Sequence, residues 1–247
     1  MAKRKNEREK YIKLILAVIL TIVIVIADKF GIDLGNVFGQ ITNENTISYT
    51  TSYDLSTIPD FTDEPYVVLN DNMPNFTEED YNKETWEEYS QLDYLGRCGP
   101  AFVRVGMETM PTEERGEIGQ VKPSGWQIVK YDIVDGKYLY NRCHLIGFQL
   151  TGENANELNL ITGTRYMNVE GMLPFENMVA RYVEKTENHV LYRVTPIFEE
   201  ENLVASGVQI EAKSVEDNGE GLCFNVYVYN VQPGVTIDYS NGDSKLS

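Results

Sequence analysis

The sequence predicts an α+β domain in which a central antiparallel sheet receives its helices in the middle of the chain. Three observations carry this. "HVLYRVTPIF", "LVASGVQIEAKSV" and "LCFNVYVYNVQPG" are three β-type runs near the C-terminus, rich in Val, Ile, Tyr and Phe and parted by acidic or Gly/Asn turns. "RYMNVEGMLPFENMVARYV", ahead of them, has a helical character that the tail lacks. The connections are short and no internal repeat is visible, which suits antiparallel neighbours.

At the N-terminus, residues 1–10 form a basic leader. Residues 11–27 hold the apolar run Leu14 to Ala27, interrupted only by Thr21. A positive stretch before a hydrophobic one has the form of a signal peptide or signal anchor. The run is shorter than the roughly 20 residues of a spanning helix, and Val25-Ile26-Ala27 is a loose match to a cleavage site. Retention and cleavage therefore both stay open; either leaves the remainder outside the cytoplasm by the positive-inside rule. Residues 28–59 are rich in Gly, Asn, Thr and Ser and read as a polar linker. The domain is expected over 60–240, with 241–247 as a tail.

Within the domain, "YVVLN" (66–70) is the first persuasive strand. "PNFTEEDYNKETWEEYS" follows as a predicted helix, with Thr77 as N-cap and acidic residues in its first turn. "GPAFVRVGME" reads as a strand. Asp135-Gly136 between "YDIV" and "KYLYN" predicts a hairpin whose second arm runs from Lys137 to Leu145. "TGT" (162–164) reads as a turn before the helix, which Pro174 either kinks or restarts.

The net charge is −17, which argues against electrostatic coating of nucleic acid. The charge is uneven, however. Residues 31–90 hold 1 basic and 13 acidic side chains, whereas residues 91–193 hold 11 basic and 13 acidic. Three cysteines, Cys98, Cys143 and Cys223, leave at least one unpaired, and a Cys98–Cys223 bridge stays open in an exported protein. No pair has the spacing of a zinc knuckle.

"YNRCHLIGFQL" (140–150) places a histidine between an arginine and an apolar run. On a strand, Arg142 and His144 share one face and Cys143 takes the other, so Cys143 and His144 cannot form a nucleophile–base pair. Asn168 and Glu176 lie eight positions apart, about two turns, and a continuous helix would set both on one face. One amide oxygen and one carboxylate suit Mg2+, which keeps several waters. A histidine opposite could deprotonate water near neutral pH. His189 reads as the polar start of a strand.

These residues carry a resemblance. "NRCHLIGFQLTG…ENANELNLITGTRYMN" resembles the active-site segment of the DNA/RNA non-specific endonucleases with a ββα-metal core, in particular secreted streptococcal-type DNases and DNA-entry nucleases. The family motif is Asp-Arg-Gly-His, or Asn-Arg-Ser-His in many streptococcal-type members; here it is Asn141-Arg142-Cys143-His144. The resemblance implies a ββα-metal fold and metal-dependent hydrolysis of DNA, with RNA as a second substrate. It implies Mg2+ as cofactor, with Mn2+ as a substitute. His144 matches the general base and Asn168 the direct metal ligand. Glu176 matches the acidic residue bonded to the metal's waters. Asn159 matches a supporting asparagine and is grouped with Arg165 and Arg181 as candidate substrate contacts. Arg142 would face phosphate, and Lys130, Lys137 and Arg165 would complete a local basic groove. The competing reading is a non-catalytic, membrane-anchored surface module that binds DNA or a protein partner; no particular protein partner can be inferred.

Overall fold

A six-stranded, wholly antiparallel sheet in the order β1-β8-β7-β6-β3-β2 forms the frame of the protein. The computed structural model describes residues 58–82 and 86–247. The predicted leader and apolar segment, and the linker up to residue 57, lie outside the described residues. Among the described residues, no helix is long and apolar enough to cross a membrane.

The sheet contains β1 (Tyr66–Val68), β2 (Glu87–Tyr89), β3 (Ala101–Val105), β6 (Val190–Ile197), β7 (Gly207–Ser214) and β8 (Cys223–Tyr229). Its three long central strands are the C-terminal β runs of the sequence, with nearly every residue buried. A two-stranded ribbon stands apart, β4 (Tyr140–His144) against β5 (Leu160–Thr164), with the short helix α2 (Phe148–Thr151) between the two strands. A π-helical stretch, Met167–Met172, then leads directly into α3 (Leu173–Thr186). The core lies between this unit and the sheet. Phe175, Val179, Ala180 and Val183 of α3 pack toward Val103, Tyr192, Ile210 and Val226, burying about 1.5–3 kcal/mol of apolar surface per large side chain.

Three local expectations change. The helix expected after Thr77 is only α1 (Glu78–Asn82). Thr77 does cap it: its hydroxyl accepts from the Asp80 N–H while the Asp80 carboxylate accepts from the Thr77 N–H. Beyond it, Trp86 packs edge-on against Phe102 at 4.5 Å, and Glu87–Tyr89 becomes the edge strand beside β3. Acidic residues suit an exposed strand edge as well as a helix face.

The Asp135-Gly136 turn forms, with Gly136 at φ +69°, but its arms share only the Lys130–Tyr138 bridge. The true partner of β4 is "LITGT", whose last three residues the sequence reads as a turn. Its small residues are fully buried: a Cβ on Gly163 would meet Cys143 Sγ and Met167 Cε, both at 2.4 Å. Thr162 and Thr164 satisfy their hydroxyls on the carbonyls of Ser124 and Val231.

The supposed tail, 241–247, contains β10 (Asp243–Leu246), which pairs with β9 (Val235–Asp238). The preceding Gly242 carbonyl accepts from the buried Tyr140 hydroxyl. All three cysteines are free, with Cys98 donating toward the carbonyls of Glu157 and Leu160.

The ribbon is fastened to the sheet by one buried side chain. Asn230, just past β8, accepts from Thr164 N at 2.8 Å and donates to the carbonyls of Thr162 and Ala205 at 3.1 and 2.9 Å. Polar groups with no access to water must be paired, so these bonds fix the ribbon's orientation as well as its position.

Candidate active site

The ribbon and the helix enclose a cleft of about 790 Å3, into which Arg142, His144, Arg165, Asn168 and Glu176 all project. β4 contributes alternate residues. Arg142 and His144 face the cleft, while Cys143 on the opposite face is fully buried in the core. The helix contributes Asn168 from its π-helical stretch and Glu176 from the first turn of α3. The Leu173 N–H donates to Asn168 O, five residues back, which widens the turn just before Pro174. That widening answers the question Pro174 raised. Proline has no N–H to give and its ring crowds the carbonyl four residues earlier, a conflict that a wide turn relieves.

His144 is 6% exposed. Its Nε2 lies 2.7 Å from the carbonyl of Asn154. A carbonyl can only accept, so Nε2 carries the proton and Nδ1 keeps its lone pair in the neutral ring. The Arg115 guanidinium lies 3.4 Å from Nδ1. Burial, reinforced by Arg115, holds the imidazole below its usual 6.5, partly opposed by the bond to Asn154. The ring is therefore a neutral base at neutral pH, with its basic nitrogen beside a cation.

Glu176 is half-buried against Gly147, where an added Cβ would meet its Oε2 at 2.5 Å; glycine makes room for the carboxyl. Burial pushes this group up to about 7, against the lowering effects of Gln149 and Arg115. The Tyr192 hydroxyl, buried with no hydrogen-bond partner, feels the same charge. Among the described residues, no group of three or more His, Cys, Asp or Glu side chains converges on a metal position. The donors here are instead one amide oxygen and one carboxylate with little neutralising company. Both are hard oxygen ligands, so the set fits a divalent cation of the Mg2+ type better than a soft one.

The remaining expectations separate. Arg142 lines the cleft, but its Nε and Nη2 donate to the carbonyls of Val121 and Gly119, and its plane lies 4.0 Å from the Trp126 ring centre. It braces the cleft wall at 119–126. Arg165 also lines the cleft, held by Asp135 at 2.8 Å. Exposed ion pairs contribute only about 0–1 kcal/mol. Asp135→Asn should therefore free Arg165 and tighten polyanion binding up to roughly fivefold, with a steeper salt dependence. Unchanged binding at all salt concentrations would show that Arg165 meets no phosphate.

Arg181 is exposed on α3 and does not reach the cleft. It lies five residues beyond Glu176, about 140° around the helix from it. Lys137 pairs with Asp132 and is likewise not part of the cleft lining, and Lys130 sits over the Tyr138 ring.

Asn159 is completely buried and so touches no substrate. Its Oδ1 accepts from Ile146 N, and its Nδ2 donates to Ile146 O, at 2.8 and 3.0 Å. It clamps the chain two residues beyond His144. Asn159→Ala leaves both Ile146 groups buried and unpaired, a loss on the order of 2–4 kcal/mol that a urea midpoint would read. A raised KM with unchanged stability would contradict this structural role.

Arg115 is the residue that sequence reasoning missed. It sits in the irregular segment between β3 and β4, where no periodicity or motif marks it. His189 lies elsewhere, its two ring nitrogens on Glu108 and Glu216, which raise its pKa.

Comparison with known proteins places the fold among nucleases. The family model described as DNA/RNA non-specific endonuclease matches residues 77–216. The solved structure of NucA from Streptococcus agalactiae with magnesium ion bound is 27% identical, with a TM-score of 0.64, covering 73% of this chain and 86% of that one. The same protein with no metal bound is 25% identical, with a TM-score of 0.66 and coverages of 78% and 92%. The Sda1 nuclease with bound zinc ion is 28% identical, with a TM-score of 0.60 and coverages of 74% and 97%. With the family model spanning more than half of its length, the chain belongs to the DNA/RNA non-specific endonuclease family.

Proposed function

We propose that this nuclease is an extracytoplasmic, divalent-metal-dependent endonuclease that hydrolyses phosphodiester bonds of DNA, and of RNA as a second substrate, with little sequence preference. The observation that carries the reading is His144: its Nε2 is committed to the Asn154 carbonyl, which leaves a basic Nδ1 facing the cleft that holds Asn168 and Glu176. The extracytoplasmic location rests on the basic leader and the apolar segment after it.

Asn168 would hold Mg2+ directly and Glu176 would hold the waters around it; Mn2+ is the expected substitute. When bound, a divalent cation there would supply charge stabilisation at the phosphate and the leaving oxygen. His144 takes a proton from the attacking water through Nδ1. Arg115, beside that nitrogen, meets the phosphate and neutralises its growing charge. Arg142 keeps the cleft wall in place, and Asn159 holds the end of the His144 strand. By the family resemblance, the products carry 5′-phosphates.

The full-length chain incubated with plasmid DNA, with Mg2+ or with a chelator, tests the reading. Cleavage that needs the metal and is lost in His144→Ala supports it; equal, slow degradation by both proteins overturns it. The net charge of −17 favours one competitor, a surface module that binds without cutting. DNA retained intact in both Mg2+ and Mn2+ would support that reading instead.

A further inference from the structure

Facing the cleft beyond the reacting groups is a surface that hydrolysis does not require. The alternation that brings His144 and Arg142 into the cleft continues backward to Tyr140 and Tyr138, both of which line it. Across the turn, Lys130 bridges to Tyr138, which puts Ile128 on the same face in antiparallel register. Ile128 is 73% exposed and Tyr138 49%, although both are large and apolar. Lys130 Nζ lies 4.3 Å from the Tyr138 ring centre. Arg165, whose backbone N–H donates to the Leu139 carbonyl and whose guanidinium is held only by the exposed Asp135, lines the same cleft as Tyr138. Six residues of extended chain separate Tyr138 from His144, about 20 Å. An aromatic face flanked by two cations, in line with the reacting centre, matches a nucleic-acid strand: phosphates meet the cations and a base meets the ring.

We propose that Tyr138, with Ile128 beside it, stacks an unpaired nucleobase a few nucleotides from the scissile phosphate, while Lys130 and Arg165 take the adjoining phosphates. The proposal rests on the nuclease reading of the same cleft. Every base has a π-face, so stacking adds affinity without sequence preference. A duplex hides those faces. The cleft therefore favours single-stranded or frayed substrate, and its apolar rim supplies attraction that an acidic protein cannot draw from charge alone.

The test measures binding by fluorescence anisotropy in the full-length His144→Ala protein, so that cleavage does not intervene. The probes are a labelled single-stranded oligonucleotide, the same backbone made entirely of abasic sites, and a blunt duplex. Adding Tyr138→Ala should weaken the base-bearing single strand about tenfold. The abasic strand and the duplex should change little, and Tyr138→Phe should bind as the parent does. Equal weakening on base-bearing and abasic strands would make Tyr138 a mere support of the hairpin and overturn the proposal. No weakening on any probe, or a loss on the duplex matching that on the single strand, would overturn it too. The plasmid assay decides separately whether the chain cuts, so the two readings fail independently.

Discussion

Replacing His144 with alanine should slow plasmid cleavage by about 10²–10⁴-fold, the range that a positioned general base contributes. The melting temperature should move by only a few degrees, about 2–4 °C per kcal/mol for a domain of this size. The ring gives up its bond to the Asn154 carbonyl at 2.7 Å and a longer contact with Arg115 at 3.4 Å. Wild-type activity should also carry the signature of the neutral imidazole. Burial and Arg115 hold His144 below 6.5, so the rate climbs as pH rises through that lowered value and is level by neutrality. The same shift bears on stability. The unfolded chain binds this proton more tightly than the folded one, so the contribution present above about 6.5 is lost as pH falls through the folded value. An alanine variant that melts normally and still cuts at the wild-type rate would remove His144 from the mechanism.

Asn168→Ala should weaken Mg2+ binding by at least about 10–100-fold, read by calorimetry, and raised Mg2+ should restore part of the activity. Partial rescue by metal distinguishes a lost ligand from a collapsed site. Glu176 adds a pH dependence. Its carboxyl sits at about 7 while no cation is near, so below that pH a cation must displace a proton. Affinity should then fall, approaching tenfold per pH unit, as the solution is acidified below neutrality, and Glu176→Gln should flatten this dependence. Equal Mg2+ affinity in wild type and Asn168→Ala would exclude Asn168 as a ligand.

The sheet's long strands were legible because β6, β7 and β8 are buried almost throughout and therefore read as dense β-branched and aromatic runs. β5 was not, because it achieves burial with small residues: Gly163 avoids Cys143 and Met167, and two threonines bond to carbonyls. Gly and Thr in sequence signal a turn, and only the tertiary neighbours show why a strand needs them there. The shared face of Arg142 and His144 follows from strand alternation alone. Arg142's attachment to Val121 and Gly119 does not, since those carbonyls belong to an irregular segment with no period to place them. Arg115 was hidden for the same reason: 29 residues before His144, it reaches the base by a path the local sequence does not encode.

The widened turn at Met167–Met172 amounts to one surplus residue inside a helix. Deleting one position there would let an ordinary ladder close, to the benefit of backbone bonding. It would also remove the wide turn in which Asn168 itself sits, and with it the offset that sets Asn168 relative to Glu176. Gly171 adds a second restriction, since a Cβ there would meet Val228 at 2.3 Å and lift the turn off the sheet. This stretch is consequently fixed in length as well as in composition. A shorter, more regular helix at this point is expected to weaken the hold of Asn168 on a divalent cation, and activity should fall with it.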